Sequence, residues 1–282
     1  MNSSMEIKFW GVRGSLPAPG ASTVRYGGNT SCVSIELDGD KILVFDAGTG
    51  IREMGKALGE RNADLYILLS HNHWDHIQGY PFFLPLFKDS WNIHAFEIRQ
   101  GKVMLCSLTE QMDTPNFPSS ACLPRQYECR IDDNPMIYLK SKGFNISRIA
   151  TNHPGGGFAY RVEHNGRSVV YMTDNELEPP SKKTTGFDEF TRFCKNADIL
   201  IHDSQYLEND MPLKHGWGHS LVSQACKLAS AAEVKHLVLF HHDPDRTDGE
   251  LDVIQDNARA WFKKNGDNIQ CTVAFEGLTI NI

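Results

Sequence analysis

The run His71-Asn72-His73-Trp74-Asp75-His76 constrains this chain more than any other feature. Four metal-capable side chains fall within six residues, directly after the apolar segment Leu65-Tyr66-Ile67-Leu68-Leu69-Ser70. That segment reads as a buried strand. Alternate residues of an extended chain share a face, so His71, His73 and Asp75 are expected to leave the strand end pointing the same way. His76 then opens a turn and reaches from another side. Four ligands at this spacing suit two metal ions better than one, because a single tetrahedral zinc rarely takes all four from one loop. A two-metal site needs further ligands from elsewhere in the chain.

Composition narrows the partners. A chain of 282 residues can bury a large core. The net charge is -7, with 28 Lys and Arg, and no basic run exceeds Lys182-Lys183 or Lys263-Lys264. This argues against a broad electrostatic footprint on long nucleic acid. It leaves room for a small anionic substrate, because metal ions supply local positive charge. No apolar run is long enough to span a bilayer, and Met1 to Glu6 lacks the basic-then-apolar pattern of a secretory signal. The seven cysteines form no Cys-x-x-Cys pair, which fits reduced thiols and a cytoplasmic protein.

Strands are expected at 6–10, 32–37, 41–45, 65–69, 92–97, 168–173, 197–202, 237–240, 271–275 and 278–282, with a hairpin turn at Asp38-Gly39-Asp40. Helices are expected at 51–58 and 102–112, behind Ser220 as N-cap, and around Ile254, Ala258 and Trp261. Residues 80–87 make at best a short helix broken by Pro81 and Pro85. The simplest account is one α/β domain over 1–282, with a lid or insert near 88–150 centred on the proline-bearing stretch 113–130. Three more polar residues sit at the lips of apolar runs, where ligand sites tend to lie: His153, Asp174 and His241.

In this order, His71-x-His73-x-Asp75-His76, His153, Asp174 and His241 resemble the signature of the metallo-β-lactamase superfamily. The opening Phe9-Trp10-Gly11-Val12-Arg13-Gly14-Ser15 and the turn Asp46-Ala47-Gly48 fit as well. The resemblance implies a four-layer αβ/βα sandwich. It implies that His71, His73 and His153 hold one metal, that Asp75, His76 and His241 hold the other, and that Asp174 bridges them. Asp46 matches a position that orients ligands. The chain looks most like the phosphodiesterase branch, which includes tRNase Z and cyclic-nucleotide phosphodiesterases. The residues that carry this are His202-Asp203-Ser204-Gln205-Tyr206 and Gly216-Trp217-Gly218-His219-Ser220. In tRNase Z-like enzymes an acidic residue after a strand pairs with the histidine of a His-Ser turn. Here those are Asp203 and His219, with Asp standing where Glu is usual.

The expected cofactors are two divalent ions, zinc first, with manganese or iron as alternatives. The expected catalytic residues are His219, Asp203 and Asp75. A hydroxide held by ions ~3.5–4 Å apart would attack phosphorus, with His219 assisting the leaving group. The expected substrate is a small cyclic phosphodiester, a cyclic nucleotide foremost, and similar enzymes suggest a homodimer. Phe82, Phe83, Phe117 and Tyr127 could stack a base, and Arg13, Arg25 and Arg246 could touch phosphate. His242 could bind substrate or support a ligand. The alternatives are an RNA endonuclease of the tRNase Z type, a thioester or lactone hydrolase on the same scaffold, and a non-catalytic binding protein.

Overall fold

A computed structural model describes residues 5–37, 41–59, 61, 63–88, 90–97, 107–113, 117–118, 127–131 and 135–282. The chain divides into two compact units. One comprises Met1–Pro17, Gly27–Pro135 and Phe275–Ile282, the other Ala18–Tyr26 and Met136–Ala274.

The first unit is built on seven strands: β1 (Met5–Gly11), β2 (Cys32–Leu37), β3 (Lys41–Phe45), β4 (Asp64–Leu68), β5 (Asn92–Glu97), β6 (Tyr127–Ile131) and β13 (Thr279–Asn281). They lie in the order β13-β1-β2-β3-β4-β5-β6. The pairs from β13 to β3 are antiparallel, and those from β3 to β6 are parallel. Helix α1 (Gly50–Leu58) buries Ile51, Met54 and Leu58, one stripe at helical spacing, among Ile42, Val44, Leu65 and Ile67 of the sheet. A one-turn helix, α2 (Trp74–Ile77), follows β4 after the loop 69–73. Helix α3 (Ser107–Glu110) is equally short.

The second unit holds a six-stranded sheet. Its strands are β7 (Asn145–Ala150), β8 (Phe158–His164), β9 (Arg167–Met172), β10 (Ile199–Asp203), β11 (His236–Phe240) and β12 (Gln270–Val273), in the order β12-β11-β10-β9-β8-β7. Strands β9 to β12 pair in parallel, and β7, β8 and β9 pair antiparallel. Helices α4 (Pro135–Ser141), α5 (Phe187–Cys194), α6 (Val222–Ala231) and α7 (Asp248–Asn265) complete the set. Phe190 of α5, Ala225, Leu228 and Ala229 of α6, and Leu251, Ile254, Ala258 and Phe262 of α7 form one buried core with Val170, Leu200, Leu237 and Leu239 of the sheet. Helix α7 begins at a capping box in which Thr247 Oγ1 accepts the Glu250 amide and Glu250 Oε2 accepts the Thr247 amide. It ends at Gly266 in the left-handed region.

Several expectations need revision. Asp75 lies on α2, so strand alternation does not place it; helix onset at Trp74 turns Asp75 and His76 inward, where both are buried, while His73 stays exposed. Ser220 does not cap α6. Leu221 occupies that position, and the Ser220 hydroxyl donates instead to the Asn175 carbonyl at 2.5 Å. Helices α4 and α5 and strands β7 and β8 went unread because each is short, and in α5, β7 and β8 charged or polar residues interrupt the apolar ones. The broken helix at 80–87 is two 3-10 turns, Tyr80–Phe82 and Leu84–Phe87. The turn Asp38-Gly39-Asp40, most of the 113–130 stretch and the start of the 102–112 helix lie outside the described residues. Among the described residues no helix is long and apolar enough to cross a membrane.

Candidate metal centre

In each sheet the parallel strands release their loops at the carboxyl ends, where open α/β sheets place ligands. In the first unit, the loop after β4 brings four expected ligands together. The rings of His71 and His73 lie 4.4 Å apart, and those of His71 and His76 lie 4.3 Å apart. Asp46, following β3, organises them from beneath and is fully buried. One carboxylate oxygen accepts the Ser70 amide at 2.6 Å; the other accepts the Ser70 hydroxyl at 2.8 Å and His76 Nδ1 at 2.8 Å. Ser70 Oγ, its proton committed to Asp46, accepts from His71 Nδ1 at 3.0 Å. Asp75 accepts the Ser15 amide at 2.8 Å. Its Oδ2 also lies 3.2 Å from His76 Nε2.

The second unit gathers its residues from four strand ends and one turn. His153 follows β7, Asp174 follows β9, Asp203 closes β10, His241 follows β11 and His219 precedes α6. His153, Asp174 and His219 each offer a ligand atom within 4.8 Å of the others, as do Asp203, His219 and His241. Asp174 Oδ1 lies 3.6 Å from His153 Nε2, and its Oδ2 lies 3.2 Å from His241 Nε2. His153 Nδ1 donates to the Gly218 carbonyl at 2.9 Å, and His241 Nδ1 to Gln205 Oε1 at 2.9 Å. His219 Nδ1 donates to Asp203 Oδ2 at 2.7 Å; both residues are buried. Asp46, Asp174 and His241 all have positive φ, at 63°, 50° and 62°. Residues other than glycine rarely adopt such angles.

These partners fix the chemistry of the donors. Wherever Nδ1 gives its proton to an oxygen, Nε2 of the neutral ring keeps a lone pair, as in metal-ligating histidines. That holds for His71, His76, His153 and His241. Three such lone pairs or their neighbours face carboxylate oxygens at 3.2–3.6 Å. Two bases so close call for positive charge between them, and a divalent ion supplies it. The residues therefore fit divalent metal in both units.

Other candidates resolve differently. Arg13 is fully buried and donates to the Gly27 carbonyl at 2.8 Å. Arg25 is paired with Asp252, and Arg246 donates to Asp210 at 3.0 Å. His242 Nε2 donates to the Ala274 carbonyl at 2.8 Å in the interior. Phe83 is core, whereas Phe82 is 58 % exposed with its ring 5.8 Å from that of Phe117. The Tyr127 side chain lies outside the described residues. His202 is fully buried with Nδ1 on the Asp203 carbonyl at 2.6 Å, and burial pushes its pKa down. Sequence reasoning gave no role to Ser70 or Gln205. Both flank recognised residues, and only the fold shows which histidine each one holds.

The fold and these two clusters define a metal-dependent hydrolase. A family model for the beta-lactamase superfamily domain matches residues 41–242, and the chain belongs to that family. It is 24% identical to a ribonuclease Z of Picrophilus torridus, covering 93% of both chains. Among solved structures it is similar to the metallo-beta-lactamase fold protein YhfI of Bacillus subtilis, with a TM-score of 0.69, 19% identity and all of both chains covered. It is also similar to a diphosphatase of the PhnP family, with a TM-score of 0.65, 17% identity and 99% and 97% of the two chains covered. These structural likenesses carry the fold, which is α/β with two multi-stranded sheets.

Proposed function

We propose that this chain is a metal-dependent phosphodiester hydrolase that acts on RNA, as its ribonuclease Z relatives are named for doing. The observation that carries the phosphodiesterase reading is the buried His219–Asp203 pair, 2.7 Å long, set beside Asp174 and His241. The similarity to ribonuclease Z across 93% of both chains supports RNA ahead of the small cyclic diester that composition favoured. This reading takes 1–282 as a single hydrolase domain. By the family's pattern, His71, His73 and His153 hold one divalent ion, Asp75, His76 and His241 hold a second, and Asp174 is shared. The separate engagement of its two oxygens with His153 and His241 supports that sharing. Imidazole-rich, thiolate-free ligation favours zinc.

Bound divalent ions would supply Lewis-acid polarisation of a phosphoryl oxygen and a nucleophile at neutral pH. The chain's own work is positioning and proton transfer. Asp203 holds His219 by Nδ1–H and supports its doubly protonated form, so that the Nε2–H of that imidazolium is the end that meets the leaving oxygen and gives it a proton, leaving the neutral ring still hydrogen-bonded to Asp203. Asp46 and Ser70 fix the rings of His71 and His76. The reading includes a homodimer and a cytoplasmic location.

A second reading, hydrolysis of a small diester such as a cyclic nucleotide, is favoured by the net charge of -7 and the lack of any basic run longer than two residues. One assay separates the two. Purified protein of known metal content is given a precursor tRNA, a panel of cyclic nucleotides and a chromogenic diester. Cleavage of the RNA, with binding that weakens steeply as salt rises, is the expected result. Turnover of cyclic nucleotides with the RNA left intact would establish the second reading instead. Undiminished turnover after exhaustive chelation would overturn both.

A further inference from the structure

We propose that Glu176 is a positioning residue that holds the histidines of the second cluster through the backbone. It lies two residues beyond Asp174 and is only 2 % exposed. Its carboxylate reaches across to the turn Gly216-Trp217-Gly218. Oε1 accepts the Gly216 amide at 2.8 Å and Oε2 accepts the Gly218 amide at 3.0 Å, with His215 Nε2 at 3.7 Å from Oε1. Gly218 is the link. Its carbonyl takes the Nδ1 proton of His153, and the next residue is His219. One carboxylate thus sets the peptide that orients a ligand histidine and carries the proton-donating one.

The backbone of Glu176 is clamped in turn by the residue before His153. The Glu176 amide donates to the Asn152 carbonyl at 2.9 Å, and Asn152 Nδ2 donates to the Glu176 carbonyl at 3.1 Å. Asn152 Oδ1 accepts the amides of Thr184 and Thr185 at 2.8 and 3.0 Å. The loops bearing His153, Asp174 and His219 therefore meet at Asn152 and Glu176, although none of their ligand atoms is involved. The turn needs glycine. Gly216 and Gly218 have φ of 90° and 93°, and a Cβ on Gly218 would overlap the His153 ring. Two amides two residues apart, both directed at one carboxylate, suit an anionic acceptor with two oxygens. A carboxamide of the same shape could satisfy only one, and its NH2 would face the other amide.

This role rests on the functional reading above only where it concerns His219; the link to His153 stands on the metal fit alone. The test is Glu176→Gln, read four ways: zinc affinity by competition with a chelator, the Nδ1 proton resonance of His153 in histidine-labelled protein with and without zinc, kcat and KM on a phosphodiester, and thermal unfolding. The expected result is a zinc affinity lowered ~10–100-fold. It comes with a shifted or lost His153 resonance, a comparable fall in kcat, KM near the parental value and a cooperative unfolding transition. Parental zinc affinity together with a parental His153 resonance would overturn the proposal. Should that variant not fold, Glu176→Asp, which keeps the charge but draws it back from the Gly216 and Gly218 amides, is judged by the same criteria. Asp203→Asn serves as the contrast, lowering kcat while leaving zinc affinity unchanged. If the parent protein cleaves no phosphodiester, the functional reading fails, and the affinity and resonance measurements still decide the role of Glu176.

Discussion

The two metal-capable clusters are assembled by different means. In the first unit, one strand, one loop and one helical turn deliver His71, His73, Asp75 and His76, and a single carboxylate, Asp46, secures the arrangement. In the second unit, His153, Asp174, Asp203, His219 and His241 come from separate strand ends and a glycine turn, up to 88 residues apart along the chain, from 153 to 241. Local spacing sets the first. Sheet register and loop packing set the second, so its precision depends on residues such as Gln205 that touch a ligand only through its far nitrogen. A cluster of the first kind survives rearrangement elsewhere in the chain, while one of the second kind is exposed to it.

This contrast can be broken or sharpened by substitution. The largest effect is expected from Asp75→Ala. It removes a carboxylate tied to both Ser15 and His76, so metal content measured by mass spectrometry and turnover should both collapse. Retained metal would show that the contiguous cluster tolerates gaps. Next, His219→Ala should keep metal near the parental level while kcat falls ~10²–10⁴-fold, the usual worth of a general acid. Parental turnover would remove His219 from the mechanism. Asp46→Asn should weaken zinc affinity ~10–100-fold by spoiling the acceptor of His76 Nδ1. A loss smaller than that of Glu176→Gln would confirm that the dispersed cluster leans harder on its supports.

The smallest effect lies away from the metal. His236 opens β11, donates or accepts at Thr272 Oγ1 at 2.9 Å, and has its pKa pushed down to about 4, chiefly by burial and also by Arg259. A histidine held neutral in the folded state contributes stability above its ordinary pKa of ~6.5. That contribution is lost as the pH falls from there to about 4. It should amount to ~3 kcal/mol at most. Denaturant melts between pH 7 and 4 should show a shallower decline in His236→Gln than in the parent.

The first cluster was legible because its ligands are neighbours in sequence. Strands β2, β3, β4, β10 and β11 were legible because each is an apolar run closed by polar residues. His153, Asp174 and His241 could be picked out only by their place after such runs and by a familiar order of motifs. Asn152, Glu176 and Gln205 were not legible at all. A buried Glu or Asn in a loop has the same local signature as an exposed one, and only the assembled strands decide which backbone amides it meets. The start of α7 at Thr247 went unread for a related reason: its first turns are Asp248, Gly249 and Glu250, with no apolar stripe until Leu251. The preference for a small substrate followed from net charge, a property of the whole chain that says little about one face.

The left-handed backbone at Asp174 and His241 has a consequence for anyone evolving this enzyme. Holding a side-chain-bearing residue there costs ~1–3 kcal/mol each, and glycine would relieve it. A screen for heat resistance alone should therefore enrich glycine at these two codons and deliver sturdier proteins that have surrendered their chemistry. Libraries built on this scaffold need zinc retention as a parallel selection.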